Sequence, residues 1–102
     1  MRHMKITIRQ LPEFRKWLHS LKDGIVHRRL ARRLERVEHG NFDDIKPVGE
    51  GVFEMREHFG SGWRMYYVQR GDVVVIMLGG GDKASQQADI ANAQRLASIL
   101  ED

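Results

Sequence analysis

A chain of 102 residues, 41% of them hydrophobic, is long enough for one domain with a buried core. It contains no cysteine, which excludes disulfides, thiolate catalysis and zinc–thiolate sites. No apolar run approaches membrane-spanning length and no secretory signal opens the chain, so we expect a cytoplasmic protein without a membrane partner. We assign the domain to residues 4–102 and interpret Met1-Arg2-His3 as a candidate cloning remnant.

The net charge of +3 is unevenly distributed along the chain. Residues 1–46 carry twelve Lys and Arg against six Asp and Glu, whereas residues 47–102 carry five against eight. A basic half of this kind permits binding to nucleic acid or to an acidic protein. Charged helix faces in contact with water give the same pattern, and charge alone favours that simpler interpretation.

The N-terminal half predicts one strand and two helices. Residues 4–9 alternate like a short strand, and Pro12 suits the first turn of a helix. Apolar residues then recur at helical spacing in two stripes, Phe14, Trp17, Leu18 and Leu21, followed by Val26, Leu30, Leu34 and Val37. Asp23 is placed to cap the second helix, which we expect to end at Gly40-Asn41. Residues 41–51 read as a loop.

The C-terminal half predicts three strands and a final helix. The strands cover residues 52–59, 63–70 and 73–78, with short turns between them, and the third is apolar enough to lie inside the sheet. A glycine-rich turn at 79–81 leads to a helix over residues 83–100. The order β-α-α-β-β-β-α predicts an α+β fold, a small twisted sheet with helices packed on one apolar face.

Side-chain alternation along the first two of these strands gives the predicted sheet a polar face. Phe53 and Met55 fall on the apolar face, and Arg56, His58, Arg64 and Tyr66 gather on the reverse. Lys83 arrives from the turn beyond the third strand. Cations, an imidazole and a phenol with little acid among them suit a polyanion such as RNA.

Eight segments in this order resemble the RelE/ParE superfamily of bacterial toxins, and in particular the HigB-like phage-derived addiction-module killer proteins. The resemblance covers nearly the whole chain from Met4. It is carried by residues 14–18 (FRKWL), 34–37 (LERV), 40–42 (GNF) with Asp44, 46–52 (KPVGEGV), 54–56 (EMR), 60–66 (GSGWRMY), 78–86 (LGGGDKASQ) and 89–90 (DI).

The resemblance implies the toxin of a toxin–antitoxin pair, held in a hetero-oligomer by an antitoxin that is usually a small helix-turn-helix protein. RelE-like and HigB-like relatives cleave messenger RNA, typically on the ribosome, without a metal or other cofactor. ParE-like relatives share the fold and inhibit DNA gyrase instead, so fold alone leaves both open. A protein that has lost toxicity but still binds its antitoxin is a third alternative.

Four residues are candidate catalytic groups, and the resemblance points to three of them. Arg64 matches an aromatic-Arg motif and is our first candidate for phosphate stabilisation, with a surface ion pair to Glu54 or Glu57 as the alternative. Arg56 and Lys83 match basic positions near the active site of relatives, although Arg56 could pair with Glu54 and Lys83 could simply begin a helix. An imidazole can exchange a proton near neutral pH, so His58 could replace the catalytic tyrosine of RelE, which has no counterpart near residues 86–89.

Four further residues are candidate RNA contacts. Tyr66 could stack on a base, with sheet packing as the alternative, and Gln86 could offer a polar contact. Arg29 and Arg33, on the arginine-rich second helix, could contact RNA phosphates, although a solvated helix face ranks first for that segment. The five histidines show no convincing metal-ligand spacing, so we expect no metal site.

Overall fold

A five-stranded sheet and three α-helices make up the part of the protein that the computed structural model describes, residues 5–100. The elements are β1 (Thr7–Gln10), α1 (Pro12–Ser20), α2 (Gly24–Glu38), β2 (Ile45–Pro47), β3 (Phe53–Arg56), β4 (Arg64–Arg70), β5 (Val74–Gly81) and α3 (Gln86–Ile99), with a 3₁₀ turn at Lys83–Ser85. The α+β fold class predicted from the sequence is confirmed. The suspected cloning remnant, residues 1–3, lies outside the described residues.

The strands are arranged in the order β1-β5-β4-β3-β2. β1 runs parallel to β5, and every other neighbouring pair is antiparallel. β5 therefore lies inside the sheet, as its apolar sequence predicted. A shift in register between β4 and β5 at Tyr66/Tyr67 adds one residue to β5, because Tyr66 pairs with Gly79 and Tyr67 with Met77.

Both early helices begin where their sequence signals place them. Pro12 occupies the first turn of α1, where its missing N–H is not needed. The Asp23 carboxylate caps α2 by accepting hydrogen bonds from the backbone N–H groups of Ile25 and Val26, at 2.9 and 3.4 Å. α1 and α2 then bury their apolar stripes against the same face of the sheet.

The helices cover both faces of the sheet, which corrects the prediction of a single apolar face. On one face, α1 and α2 pack on alternate strand residues that include Met55, Met65 and Tyr67. On the other face, α3 packs on the residues between them, including Tyr66 and Val68. The sequence prediction failed here because the second face is apolar only along part of β4 and β5. Its polar part, near Arg56 and Arg64, dominates the pattern of β3.

The chain between α2 and β4 also differs from prediction. Residues 45–47, expected in a loop, form the strand β2 at the edge of the sheet. An edge strand can accept Pro47, because a proline cannot donate a hydrogen bond to a second neighbouring strand. β3 ends at Arg56, so His58 lies in the loop between β3 and β4 and not on a strand. That loop closes through hydrogen bonds from the N–H of Glu57 to the carbonyl of Trp63 and from Gly62 to Phe59.

Membrane insertion through a helix has no support in this fold. None of the helices within residues 5–100 is both long enough and apolar enough to cross a bilayer.

Candidate functional site

Arg56 and Arg64 are direct cross-strand partners, one at the end of β3 and the other at the start of β4. Opposed residues of an antiparallel pair point to the same face of the sheet. Two guanidinium groups from neighbouring strands therefore share one face, as the alternation in the sequence predicted. They lie on the face that α3 covers, at the end where α3 begins.

A buried carboxylate fixes the position of Arg64. Glu54 is fully buried, and its Oε2 lies 3.6 Å from Nε of Arg64. The same oxygen accepts hydrogen bonds from the hydroxyl of Tyr66 at 2.9 Å and from the side-chain amide of Gln86 at 3.0 Å. Nη1 of Arg64 donates to the carbonyl of Gly62 at 2.6 Å. Glu54 thus ties β3, β4 and the start of α3 together directly beneath the arginine.

Tyr66 is fully buried, which corrects its assignment as a base-stacking residue. Burial raises the pKa of its phenol above the usual value, and the hydrogen bond to Glu54 adds to the effect. Tyr66 therefore stays a neutral donor inside the protein, where no nucleotide can reach its ring. Gln86 is half-buried, and its amide is engaged with Glu54.

Asp44, just before β2, holds two other candidate residues. Its Oδ1 accepts from Nη2 of Arg56 at 2.9 Å and from Nε at 3.3 Å, and its Oδ2 lies 2.5 Å from Nε2 of His58. These hydrogen bonds, first that of Arg56 and then that of His58, hold the pKa of the Asp44 carboxyl below its usual value. The same contact raises the pKa of Arg56. His58 is 72% exposed, so its ring remains open to a ligand.

Arg33 is buried, which corrects its assignment as an RNA contact. Its guanidinium donates to the carbonyls of Arg56, Phe42 and Asp44, each at 2.8 Å, and to the carboxylate of Glu57. It consequently fastens the segment before β2 to the end of β3. Arg33 is a structural residue that supports the site from inside.

Arg29 lies one helical turn from Arg33 and remains exposed on α2. Its guanidinium carbon lies 3.9 Å from the centroid of the Phe59 ring, a cation–π contact with the β3–β4 loop. Arg29 is thus the member of this arginine pair that solvent or RNA can reach.

Lys83 and the β3–β4 loop complete an open depression of about 290 Å³. Its lining includes His58, Arg64 and Lys83, with Glu57 and the backbone of residues 60–62. The N–H of Lys83 donates to the carbonyl of Ser61 at 3.2 Å, which brings the start of the 3₁₀ turn against this loop. The structure therefore brings together the four predicted catalytic residues, three in the depression and Arg56 beside it.

The three glycines at 79–81 belong to β5 and do not form the predicted turn. A Cβ on Gly80 would overlap the indole of Trp17, and one on Gly81 would overlap the carboxylate of Asp89. Gly80 and Gly81 therefore make room for these two side chains, whereas a Cβ on Gly79 would meet no atom within 4 Å. Asp82 does cap the following turn, in a reciprocal capping box with Ser85.

Two acidic residues that sequence reasoning did not assign to the site, Asp44 and Glu54, organise its arginines. Asp44 belongs to a segment that carries the family resemblance, and this was the signal that could have identified it. Glu54 was considered only as an ion-pair partner for Arg56 or Arg64, because its burial could not be read from the sequence. Among residues 5–100 no three His, Asp or Glu side chains are grouped so as to hold a metal ion.

Residues 16–98 match the family described as phage-derived protein Gp49-like (DUF891). The chain belongs to this Gp49-like family. A Haemophilus influenzae member, described as an uncharacterized protein, is 41% identical over 97 residues, which are 95% of this chain and 98% of the relative.

Two solved toxin structures share the fold of this Gp49-like protein. The first is an arginine-substituted mutant of the Escherichia coli toxin RelE in the free state, with a TM-score of 0.72 and 22% identity over 95% of this chain and all of that one. The second comes from the toxin–antitoxin complex RelBE2 of Mycobacterium tuberculosis, with a TM-score of 0.64 and 19% identity over 78% of this chain and all of that one. These similarities confirm the RelE-like fold that the sequence predicted. Assignment to the HigB-like branch stays a prediction.

Proposed function

We propose that this Gp49-like protein is the toxin of a toxin–antitoxin pair and cleaves messenger RNA on the ribosome without a metal ion. The observation that carries the proposal is the cross-strand pair of Arg56 and Arg64 beside a depression that His58 and Lys83 also line. The RelE fold and the toxin–antitoxin complex among the similar structures support the toxin role.

The arrangement suits cleavage by the RNA's own 2′-hydroxyl. The 2′-oxygen attacks the adjacent phosphorus and loses its proton to solvent, while the bond from phosphorus to the 5′-oxygen breaks and that oxygen gains a proton. Arg64 and Lys83 offer positive charge where the crowded phosphate develops its extra negative charge. His58 is the group in the depression that can supply a proton near neutral pH.

The fixed position of the Arg64 guanidinium favours a role in phosphate stabilisation over a simple surface ion pair. Its side chain is 12% exposed, and the carbonyl of Gly62 and the carboxylate of Glu54 fix the guanidinium from behind. A cation held in this way loses little freedom when phosphate binds, so it stabilises the transition state without first being ordered. Ordinary exposed arginines lack such support.

Arg64→Ala tests the proposal directly. Purified protein is mixed with ribosomes translating a defined message, and the RNA ends are mapped by primer extension. We expect the native protein to cut within the reading frame and Arg64→Ala to cut about 10²–10³-fold more slowly, the usual loss for one preorganised donor. Arg9→Ala, which removes an exposed arginine from β1 at the other side of the sheet, is the matched control and should cut like the native protein.

Other outcomes, in this assay or in two companion assays of gyrase activity and of growth on expression, would replace the proposal. Intact messages together with blocked supercoiling by purified gyrase would indicate the gyrase inhibitor that ParE-like relatives represent. Normal growth on expression, with a small helix-turn-helix protein co-purifying, would indicate a partner-binding protein without toxicity. Full cleavage by Arg64→Ala would remove Arg64 from the site. The antitoxin partner and the cytoplasmic location belong to the proposal, since translated messages and ribosomes are its substrates.

A further inference from the structure

Asp44 joins two side chains that the proposed function treats separately. One carboxylate oxygen binds Arg56 at 2.9 Å, and the other binds Nε2 of His58 at 2.5 Å. The backbone of Asp44 is itself fixed, because its carbonyl accepts from the N–H of Arg56 at 3.0 Å and from buried Arg33 at 2.8 Å. The carboxylate is therefore presented to His58 from an anchored position.

This contact determines which nitrogen of His58 is available to a substrate. An ionised carboxylate only accepts hydrogen bonds, so Nε2 of His58 must carry the hydrogen in the Asp44 contact. Nδ1 is then the nitrogen left for the depression that His58 lines. The carboxylate also stabilises the doubly protonated, positively charged ring, in which Nδ1 carries a proton that can be donated.

Three cations and one further carboxylate lie near His58 among the described residues. Arg64 and Lys83 line the same depression, Arg56 lies on the far oxygen of Asp44, and all three disfavour a further positive charge. Glu57 also lines the depression, but its carboxylate is paired with Arg33. Within the described residues, the charge that Asp44 brings is the one placed directly on the imidazole.

We infer that Asp44 is a positioning residue that turns His58 so that Nδ1 donates a proton to the leaving 5′-oxygen of the RNA. As the phosphorus–oxygen bond breaks, the Nδ1 proton moves to the leaving oxygen. His58 becomes neutral with Nε2–H still bound to Asp44, and it regains a proton from water. The inference rests on the proposed function, and it adds Asp44 to the groups on which cleavage depends.

Single-turnover cleavage at saturating ribosome concentration tests the inference. We expect Asp44→Asn to reduce the maximal rate by about 10- to 100-fold, part of the about 10²–10⁴-fold that a general acid supplies, with half-saturation unchanged. Asp43→Asn is the matched control, since it removes the same charge one residue earlier at an exposed position whose positive φ of 58° asparagine tolerates.

A double-substitution cycle separates positioning from stability. If Asp44 acts through His58, then adding Asp44→Asn to His58→Asn causes little further loss of rate. Multiplicative losses would overturn the inference, as would a native maximal rate in Asp44→Asn. Thermal denaturation of each variant identifies any loss caused by unfolding.

An NMR titration tests the contact without any RNA. The pKa of the Asp44 carboxyl, followed through its ¹³C shift, should rise towards the ordinary value in His58→Asn, because His58 is one of the two groups that lower it. His58 is exposed, so this variant should fold normally. An unchanged Asp44 titration with RNA cleavage intact would overturn the assignment of Asp44 alone. A protein that shows the coupling but cuts no RNA would overturn the proposed function, and the proton-donation role with it.

Discussion

Replacing Arg33 with methionine should destabilise the protein more than any exposed arginine substitution. Methionine fills much of the same volume but offers no hydrogen-bond donor. The change removes four charge-assisted hydrogen bonds, three to backbone carbonyls and one to the carboxylate of Glu57. It also leaves that carboxylate, with a side chain 13% exposed, without its cationic partner.

The expected loss of folding stability in Arg33→Met follows from these lost contacts. Removing one partner of a buried ion pair costs about 3–5 kcal/mol, because the remaining charge and carbonyls stay desolvated. Domains of this size are stable by roughly 5–15 kcal/mol, so the loss is a large share of the total. At about 4–8 °C per kcal/mol, the melting temperature should fall by roughly 12–40 °C.

Thermal and urea denaturation, followed by circular dichroism, measure the effect. Arg32→Met makes the same substitution at the neighbouring exposed position and should change stability by less than about 0.5 kcal/mol. Arg33→Lys should fall between the two, because one ammonium group cannot reach all four acceptors. Equal melting temperatures for Arg33→Met and Arg32→Met would refute the argument that Arg33 fastens the segment before β2 to β3.

Two further predictions concern packing and pH. Gly80→Ala should lower the free energy of unfolding by about 1–3 kcal/mol in urea denaturation, because its Cβ would overlap the indole of Trp17. Gly79→Ala is the control, because its Cβ has open space and should cost little. Similar losses of stability in the two variants would contradict the packing argument. The lowered pKa of Asp44 means that its ion pair with Arg56 stabilises the fold above the carboxyl's ordinary pKa of 3.8, and that this stabilisation disappears as pH falls through the lowered value. Melting temperatures of native protein and Asp44→Asn should therefore converge between pH 5 and pH 2, and a constant difference would contradict the assignment.

Local signals in the sequence predicted the elements well. Pro12 and Asp23 begin their helices as expected, and the helical stripes bury as predicted because a period of 3.6 residues needs no knowledge of the partner surface. The shared face of Arg56 and Arg64 also followed from strand alternation and the short turn between them. β2 was missed because three residues ending in Pro47 are too few to show the alternation of a strand. Only their pairing with β3 makes them a strand.

The roles of individual polar residues could not be read in the same way. Arg29 and Arg33 lie one helical turn apart on an arginine-rich helix, yet one is exposed against Phe59 and the other is buried among carbonyls. Tyr66 and Tyr67 are adjacent and both buried, on opposite faces, because α3 covers the face that the sequence left open to solvent. Such differences depend on which element packs above a residue.

By itself, the sequence determined the order of the helices and strands other than β2, the α+β fold class, and the face that carries the two strand arginines. These properties depend on spacing along the chain, which local geometry converts directly into structure. Only the tertiary structure decided that Glu54 and Asp44 are organising carboxylates and that Arg33 and Tyr66 are internal. Burial and pairing are set by residues distant in sequence, so an acid that looks repulsive to phosphate becomes, once folded, the group that holds an arginine in place.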